Sequence, residues 1–364
     1  MDSWISPLFL AIFLGISVTF LTAPAAIYMS RRVGLVDVPG SSSHKKHKTP
    51  TVLAGGTALF LSFLLLALAL GLFKDRNILA LFVAVSIIYA FGLWDDLKGL
   101  DAPKKLLGQG LASVVIMASG ISIQIFEAPT FFIGGPEMIY VLVDRALTVF
   151  WLIGITNAFN LVDSMDGLAV GISGWTLAFF MLITIDTGQV NLATLSALLA
   201  GICLTLYLFN SPKARLFMGD SGVQTLGFTI AVMSILLTPV NNAQTTSWFI
   251  PILLLAIPIF DTSLVFFSRL RRGVAFYKSG YDHTYHRLTL LGLESNHAVL
   301  LLHTIALAID CLAYFAMSLG PLWANVIFAG LVVVALAAFV FLEVTFTTIS
   351  RRVEAAAVHE SGLH

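Results

Sequence analysis

Runs of apolar residues, each long enough to cross a lipid bilayer, follow one another through almost the whole chain, and charge is confined to the gaps. An α-helix rises about 1.5 Å per residue, so about 20 apolar residues span a hydrocarbon layer about 30 Å thick. Hydrophobic residues make up 58% of the 364 and charged residues 11%; soluble domains average about 45–50% and about 25%. The predicted fold class is all-α: a polytopic integral membrane protein with 10 or 11 transmembrane helices. Broken at charge, Pro and Gly clusters, the eleven candidates are 4–29, 51–73, 77–94, 104–121, 141–158, 167–186, 191–210, 222–239, 246–269, 297–318 and 321–349.

A single transmembrane domain over 1–364 is expected, with its motif-bearing core at about 30–300. No soluble domain, low-complexity segment or internal repeat interrupts the pattern. The N-terminal stretch lacks a basic n-region and a small-residue cleavage site, so it reads as the first span and not as a signal peptide. The segment SIQIFEAPTFFIGGPEMIY (122–140) alternates weakly around Gly-Gly-Pro, which fits a short extracytoplasmic hairpin. Cys203 and Cys311 lie in apolar runs without CxxC spacing and read as buried small hydrophobes, outside any disulfide or zinc site.

Lysine and arginine orient the bundle. All but Lys74, Arg76 and Arg145 of the 20 basic residues fall on one side of the eleven-helix arrangement. The positive-inside rule makes that side cytoplasmic, with the N-terminus outside and the C-terminus inside. Formal net charge is zero, so the balance gives no argument for nucleic acid.

Five polar motifs fall on the same cytoplasmic side. They are SSSHKKHKTPTVLAGG (41–56), WDDLKGLDAPKK (94–105), NAFNLVDSMDGLA (157–169), FNSPKARLFMGDSGV (209–223) and SGYDHTYHRL (279–288). A transporter places its polar groups near the bilayer midplane, on broken helices. Convergence on one face is what an enzyme needs when one substrate comes from the cytosol.

Each motif has a structural and a chemical reading. Asp95 and Asp96 end a helix whose dipole they oppose, so they either mark the membrane boundary or serve as a carboxylate pair, one orienting a cation and one accepting a proton or attacking phosphorus. Lys104 and Lys105 follow closely and suit phosphate charge. Asn157 and Asn160 share a helix face at i, i+3, and Asp163 lies three residues further on. Asp166 could cap the sixth helix, but capping leaves the other three unexplained. Oxygen ligands of this kind suit Mg²⁺, which takes one or two carboxylates plus substrate phosphates. Asp220, between glycines in MGDSG, is either a helix-start turn or a metal carboxylate beside amides that approach phosphate. His283, His286 and Arg287 suit pyrophosphate better than zinc, since no HExxH or Cys accompanies them. His44, Lys45, Lys46, His47 and Lys48 form either a positive-inside anchor or a phosphate-binding surface. Asp261, Asp310 and Glu343 stand in apolar runs, where charge is expensive; Asp261 suits support of the site or a helix contact, and the other two have no evident role.

Taken together and in order, the motifs resemble those of the polyprenyl-phosphate N-acetylhexosamine-1-phosphate transferases. That superfamily includes the enzymes that start O-antigen and teichoic acid synthesis and phospho-MurNAc-pentapeptide translocase. The resemblance implies that Asp95 and Asp96 are the paired aspartates and Lys105 the phosphate-binding lysine. Asn160 and Asp220 would be Mg²⁺ ligands, with Asp163 and Asp166 as active-site carboxylates. HKKHKTPTVLAGG resembles the first cytoplasmic loop, matching at His47, Pro50, Gly55 and Gly56, so Lys45, His47 and Lys48 would form the lipid-phosphate loop. Three positions depart from the pattern: Ser164 replaces a Gly, Leu53 stands where many members have Arg, and Tyr285 replaces a His of the HxHH-type cluster. The consecutive-histidine loop of the MurNAc-pentapeptide branch is absent, which favours the GlcNAc branch.

The implied reaction is UDP-HexNAc plus polyprenyl (undecaprenyl) phosphate giving polyprenyl-diphospho-HexNAc plus UMP, with Mg²⁺ as cofactor and Mn²⁺ as a possible substitute. Catalysis would fall to Asp95, Asp96 and Asp163. Nucleotide-sugar contacts would fall to Asn157, Asp166, Lys105, His283, His286 and Arg287. The expected location is the inner (cytoplasmic) membrane, and homodimers occur in the family. Competing readings are a UDP-MurNAc-pentapeptide phosphotransferase, a glycosyltransferase that releases UDP, and a lipid-linked-sugar flippase.

Overall fold

Each of the eleven apolar stretches contains helix in the computed structural model, which describes residues 2–38, 50–126, 137–237, 249–275 and 280–361. In chain order these are α1 (Asp2–Arg32), α2 (Gly55–Ala69), α3 (Arg76–Lys98), α4 (Ala102–Ala118), α5 (Glu137–Val162), α6 (Leu168–Asp186), α7 (Val190–Asn210) and α8 (Gly219–Leu236). They continue as α9 (Ile250–Leu254), α10 (Ala256–Arg272), α11 (Thr284–Leu290), α12 (Ser295–Met317) and α13 (Pro321–Ser361). The ninth expected span is a broken pair, α9 and α10, divided at Leu255.

The protein is a multi-pass, predominantly helical membrane protein in architecture. Among the described residues, seven helices are long and apolar enough to cross a membrane: α1, α3, α5, α6, α7, α12 and α13. The other expected spans are shorter or more polar. Helix α2 has 15 residues, α4 and α10 have 17 each, and α8 carries Asp220 and Gln224 in its first two turns. The expected hairpin between the fourth and fifth helices falls largely on 127–136, outside the described residues.

Helix α8 is the axis of the bundle. Every residue from Ser221 to Ser234 is buried, and α2, α3 and α5 pack around it. Helix α13 is the opposite case: only 6% of its most apolar window is buried, so its long apolar surface is left for lipid. Small residues let the helices approach. A Cβ on Gly92 of α3 would lie 2.5 Å from Ser221 Cα, and one on Gly56 of α2 would lie 2.3 Å from Ser221 Oγ. Neither contact is sterically possible, so both glycines are needed to seat the start of α8.

A small sheet departs from the all-helical expectation. Strand β1 (Val36–Asp37) pairs antiparallel with β2 (Thr51–Leu53), which pairs parallel with β3 (Leu216–Phe217). Its registers are Val36 with Val52 and Val52 with Leu216. Strands of two or three residues are too short to display alternation in sequence. The sheet ties the segment after α1 to TPTVLAGG and to the approach to Asp220, drawing two motif-bearing segments to one end of the bundle. Cys203 is buried as expected, whereas Cys311 is exposed on α12.

Candidate active site

The carboxylates gather where α3, α4, α5 and α8 meet. Asp95 and Asp96 occupy the last turn of α3, inside the helix. Asp95 is buried; its Oδ1 accepts from the Leu100 amide at 2.6 Å, and its other oxygen is ion-paired with Lys105. Lys105 lies in the first turn of α4 and also reaches Asp220 Oδ2, at 2.6 Å. One ammonium therefore joins two carboxylates from different helices. Lys104 points elsewhere, pairing with exposed Asp101 at 3.3 Å.

Asp96 does a different job. Its Oδ1 accepts from the Asp220 amide at 2.8 Å and its Oδ2 from the Ser221 amide at 3.1 Å. These amides belong to the first turn of α8, where backbone donors have no partner within the helix. Asp96 thus serves α8 as an N-terminal cap from another helix, and its negative charge favours that helix end. Gly219 makes the approach possible: its φ is +67°, and a Cβ there would sit 2.7 Å from Asp96 Oδ2. Neither Asp220 nor Ser221 supplies the cap by its own side chain, which was the structural alternative for MGDSG.

Helix α5 continues through Asn157 and Asn160 to Val162, so the two asparagines share a face as expected. Asp163 follows directly. Burial, reinforced by the charges of Asp220 and Asp166, pushes its carboxyl up to about 7. Asp166 lies one residue before Gly167, and Gly167, at φ +77°, occupies the capping position of α6. Asn157 is held by Gln109 of α4, donating to Gln109 Oε1 and to the Ile153 carbonyl, both at 2.8 Å.

The histidine–arginine motif is arranged otherwise than expected. Arg287 is 2% exposed; its guanidinium donates to Glu343 Oε2 at 2.6 Å and to the Asp282 carbonyl at 2.8 Å, and stacks 4.5 Å from the Phe346 ring. Its Nη1 serves α13 and gives Glu343 a partner, while its Nη2 is buried with no hydrogen-bond partner among the described residues. Arg271 reaches the same carboxylate at 2.6 Å. Asp282 joins Arg269 and Arg272; burial works against its charge, but the two guanidiniums hold it down at about 2. His283 Nδ1 lies 2.8 Å from Asp261 Oδ2, and the Thr284 amide donates to Asp261 Oδ1 at 2.6 Å. His286 packs its ring against Tyr281, Tyr285 and His283. Lys45, His47 and Lys48, the expected lipid-phosphate loop, lie outside the described residues, as does Lys278.

One buried residue escaped the sequence reading. Asn210, the last residue of α7, accepts from the Gly167 amide at 2.9 Å and donates to the Leu216 carbonyl at 3.0 Å. It straps the 163–167 loop to the strand leading into Asp220. The available signal was an Asn ending an apolar helix just ahead of Ser-Pro.

The donor set suits a hard divalent cation. Asp95, Asp163 and Asp220 are oxygen donors on three separate elements, and Asp163 is raised partly by its acidic neighbours. Among the described residues no three His, Cys, Asp or Glu side chains close into a metal cage. Mg²⁺ does not need one, since waters and substrate phosphates complete its shell.

The family model described as glycosyl transferase family 4 matches residues 78–238. That stretch holds Asp95, Asp96, Lys105, Asn160, Asp163, Asp166 and Asp220. A probable undecaprenyl-phosphate N-acetylglucosaminyl 1-phosphate transferase of Bacillus subtilis (strain 168) is 32% identical over 285 residues, 78% of each chain. A decaprenyl-phosphate N-acetylglucosaminephosphotransferase of Mycobacterium tuberculosis is 30% identical over 314 residues, 78% of this chain and 76% of that one. An undecaprenyl-phosphate alpha-N-acetylglucosaminyl 1-phosphate transferase of Yersinia pestis is 27% identical over 305 residues, 80% of each.

Proposed function

This chain belongs to glycosyl transferase family 4, among the polyprenyl-phosphate N-acetylhexosamine-1-phosphate transferases, and from that premise we propose that it moves GlcNAc-1-phosphate from UDP-GlcNAc to undecaprenyl phosphate and releases UMP. The observation that carries the reading is Lys105 bridging Asp95 and Asp220, which draws the paired-aspartate motif and the MGDSG motif to one point. The printed names of the three relatives support GlcNAc as the sugar.

An oxygen of the lipid phosphate bonds to the β-phosphorus of UDP-GlcNAc; the bond from that phosphorus to the bridging oxygen breaks, and its electron pair leaves with UMP. Asp220 and Asn160 would hold Mg²⁺, with Asp163 close by. When bound, Mg²⁺ supplies Lewis acidity and neutralises diphosphate charge. Lys105 offers its ammonium to phosphate oxygens. Asp96 spends both oxygens on the α8 amides, and Asp95 spends its two on the Leu100 amide and Lys105, which leaves Asp163 to hold the proton of the lipid phosphate. Asp163, at about 7, exchanges a proton readily near neutrality. Eleven crossings, with α9 and α10 together as the ninth, would put this cluster on the cytoplasmic face of the inner membrane, where the UDP-sugar is found. Two of the three acids that would favour a flippase have local partners, Asp261 with His283 and Glu343 with Arg271 and Arg287; the third, Asp310 on α12, is buried with its Oδ2 unpaired among the described residues.

The test is nucleotide release by purified protein given UDP-GlcNAc, undecaprenyl phosphate and Mg²⁺. Lipid-dependent UMP is expected. Release of UDP would mean that the glycosidic bond breaks, and would refute the mechanism.

A further inference from the structure

Directly beneath the carboxylates lies a second polar layer that contains no charge. Gln109 on α4 is 1% exposed and Gln224 on α8 is 3% exposed. Gln109 Nε2 donates to Gln224 Oε1 at 3.1 Å and to Asn157 Oδ1 at 3.3 Å, while Asn157 returns a bond to Gln109 Oε1 at 2.8 Å. The three amides come from α4, α5 and α8, the helices that carry Lys105, Asn160 and Asp220. Each lies three or four residues from its charged or metal-binding counterpart, on the same helix face and about one turn deeper.

We propose that Gln109, Asn157 and Gln224 are positioning residues: together they lock the register of α4, α5 and α8, and so hold Lys105, Asn160 and Asp220 at the spacing the transfer requires. This rests on the phosphotransferase reading above, and it reassigns Asn157 from substrate contact to alignment.

The physical case is directional. Apolar helix contacts in lipid tolerate sliding, because one methyl replaces another at little cost. A primary amide has donors on one atom and acceptor lone pairs on the other, so three amides cross-pair in few arrangements. Slipping one helix by a single residue moves its amide about 1.5 Å along the axis and breaks the set. Burial makes the break costly, because an unpaired amide finds no water. Uncharged groups suit this place: a carboxylate or ammonium one turn below Asp220 would disturb the field that Lys105 and Asp95 set up. Simple adhesion between α5 and α8 has its own bond further along, Trp151 Nε1 to Ser234 Oγ at 2.8 Å.

The decisive comparison is Gln224→Leu against Gln224→Glu in full-length protein. Gln224→Leu removes the acceptor for Gln109; Gln224→Glu keeps an oxygen there, and the burial of this position favours the neutral, protonated carboxyl over the carboxylate. A misplacement of about 1 Å costs up to about 100-fold in rate, so a partial slip in Gln224→Leu should lower kcat about tenfold. Its KM for UDP-GlcNAc should stay within about twofold, since Gln224 touches no substrate, and Mn²⁺ binding followed by electron paramagnetic resonance should weaken about tenfold. Gln224→Glu should keep kcat within about threefold of wild type. Wild-type kcat in Gln224→Leu would overturn the proposal. So would equal losses in both variants, or a loss that disappears when rates are expressed per folded molecule. Wild-type protein that releases no UMP would strike the functional reading alone, and the Mn²⁺ arm would still decide the positioning role.

Discussion

Replacing Asp163 by Asn should make the protein more stable and nearly inactive at once. Asp163 is partly buried at the end of α5, and burial with the charges of Asp220 and Asp166 raises its carboxyl from 3.8 to about 7. Between those two values the folded protein binds more protons than the unfolded chain, so stability falls as pH rises through that window. Above about 7 the full penalty for the ionised group is present. The difference corresponds to a ceiling of about 4 kcal/mol. Partial exposure and solvent screening reduce it to about 1–2 kcal/mol. Asn keeps the shape and carries no charge. For a chain of this size, about 1 kcal/mol shifts the melting temperature by about 2 °C. Thermal unfolding in detergent with a chelator present should therefore give Asp163→Asn a midpoint about 2–4 °C above wild type at pH 8.5. The two proteins should converge as pH falls below about 3.8, where wild-type Asp163 becomes protonated in both folded and unfolded states. Lipid-dependent UMP release by the variant should fall at least about 100-fold. A variant no more stable than wild type at pH 8.5 would refute the claim that Asp163 sits in an unfavourable negative field.

Asp96→Ala should cost about 1–2 kcal/mol through loss of the α8 cap, whereas Asp96→Asn keeps one acceptor and should lose less; melting temperatures of both, beside their kcat, test this. Gly92→Ala drives a Cβ against Ser221 and should destabilise by about 1–3 kcal/mol, read as reduced folded yield together with reduced UMP release. Glu343→Gln leaves Arg287 with a weaker partner and should lower the melting temperature while KM for UDP-GlcNAc stays unchanged; a large rise in KM would favour a substrate contact by Arg287.

Much of the candidate site's inventory was legible before any folding. Asp95, Asp96, Lys105, Asp163 and Asp220 stand out because a charge between apolar runs has few structural excuses. The division of labour among them was not legible. Asp95 and Asp96 are adjacent and chemically identical, yet one meets Lys105 and the other caps α8. Arg287 beside two histidines suits pyrophosphate because a guanidinium binds phosphate oxygens bidentately. Its partner, Glu343, lies on α13, 56 positions away, and no local pattern announces that pairing. The amides Gln109, Gln224 and Asn210 were silent for a related reason: a neutral polar residue in an apolar helix declares no role until its neighbours are known.

By itself, the sequence determined the membrane class, the helical architecture and the crowding of acids and amides near helix ends, because hydropathy and charge act residue by residue and along short windows. The tertiary structure decided which carboxylate holds the lysine and which caps a helix. Those outcomes depend on contacts between residues 115 and 124 positions apart, Lys105 with Asp220 and Asp96 with the Asp220 amide. Such distances close only when α8 is buried among its neighbours, and no periodicity in the chain encodes them.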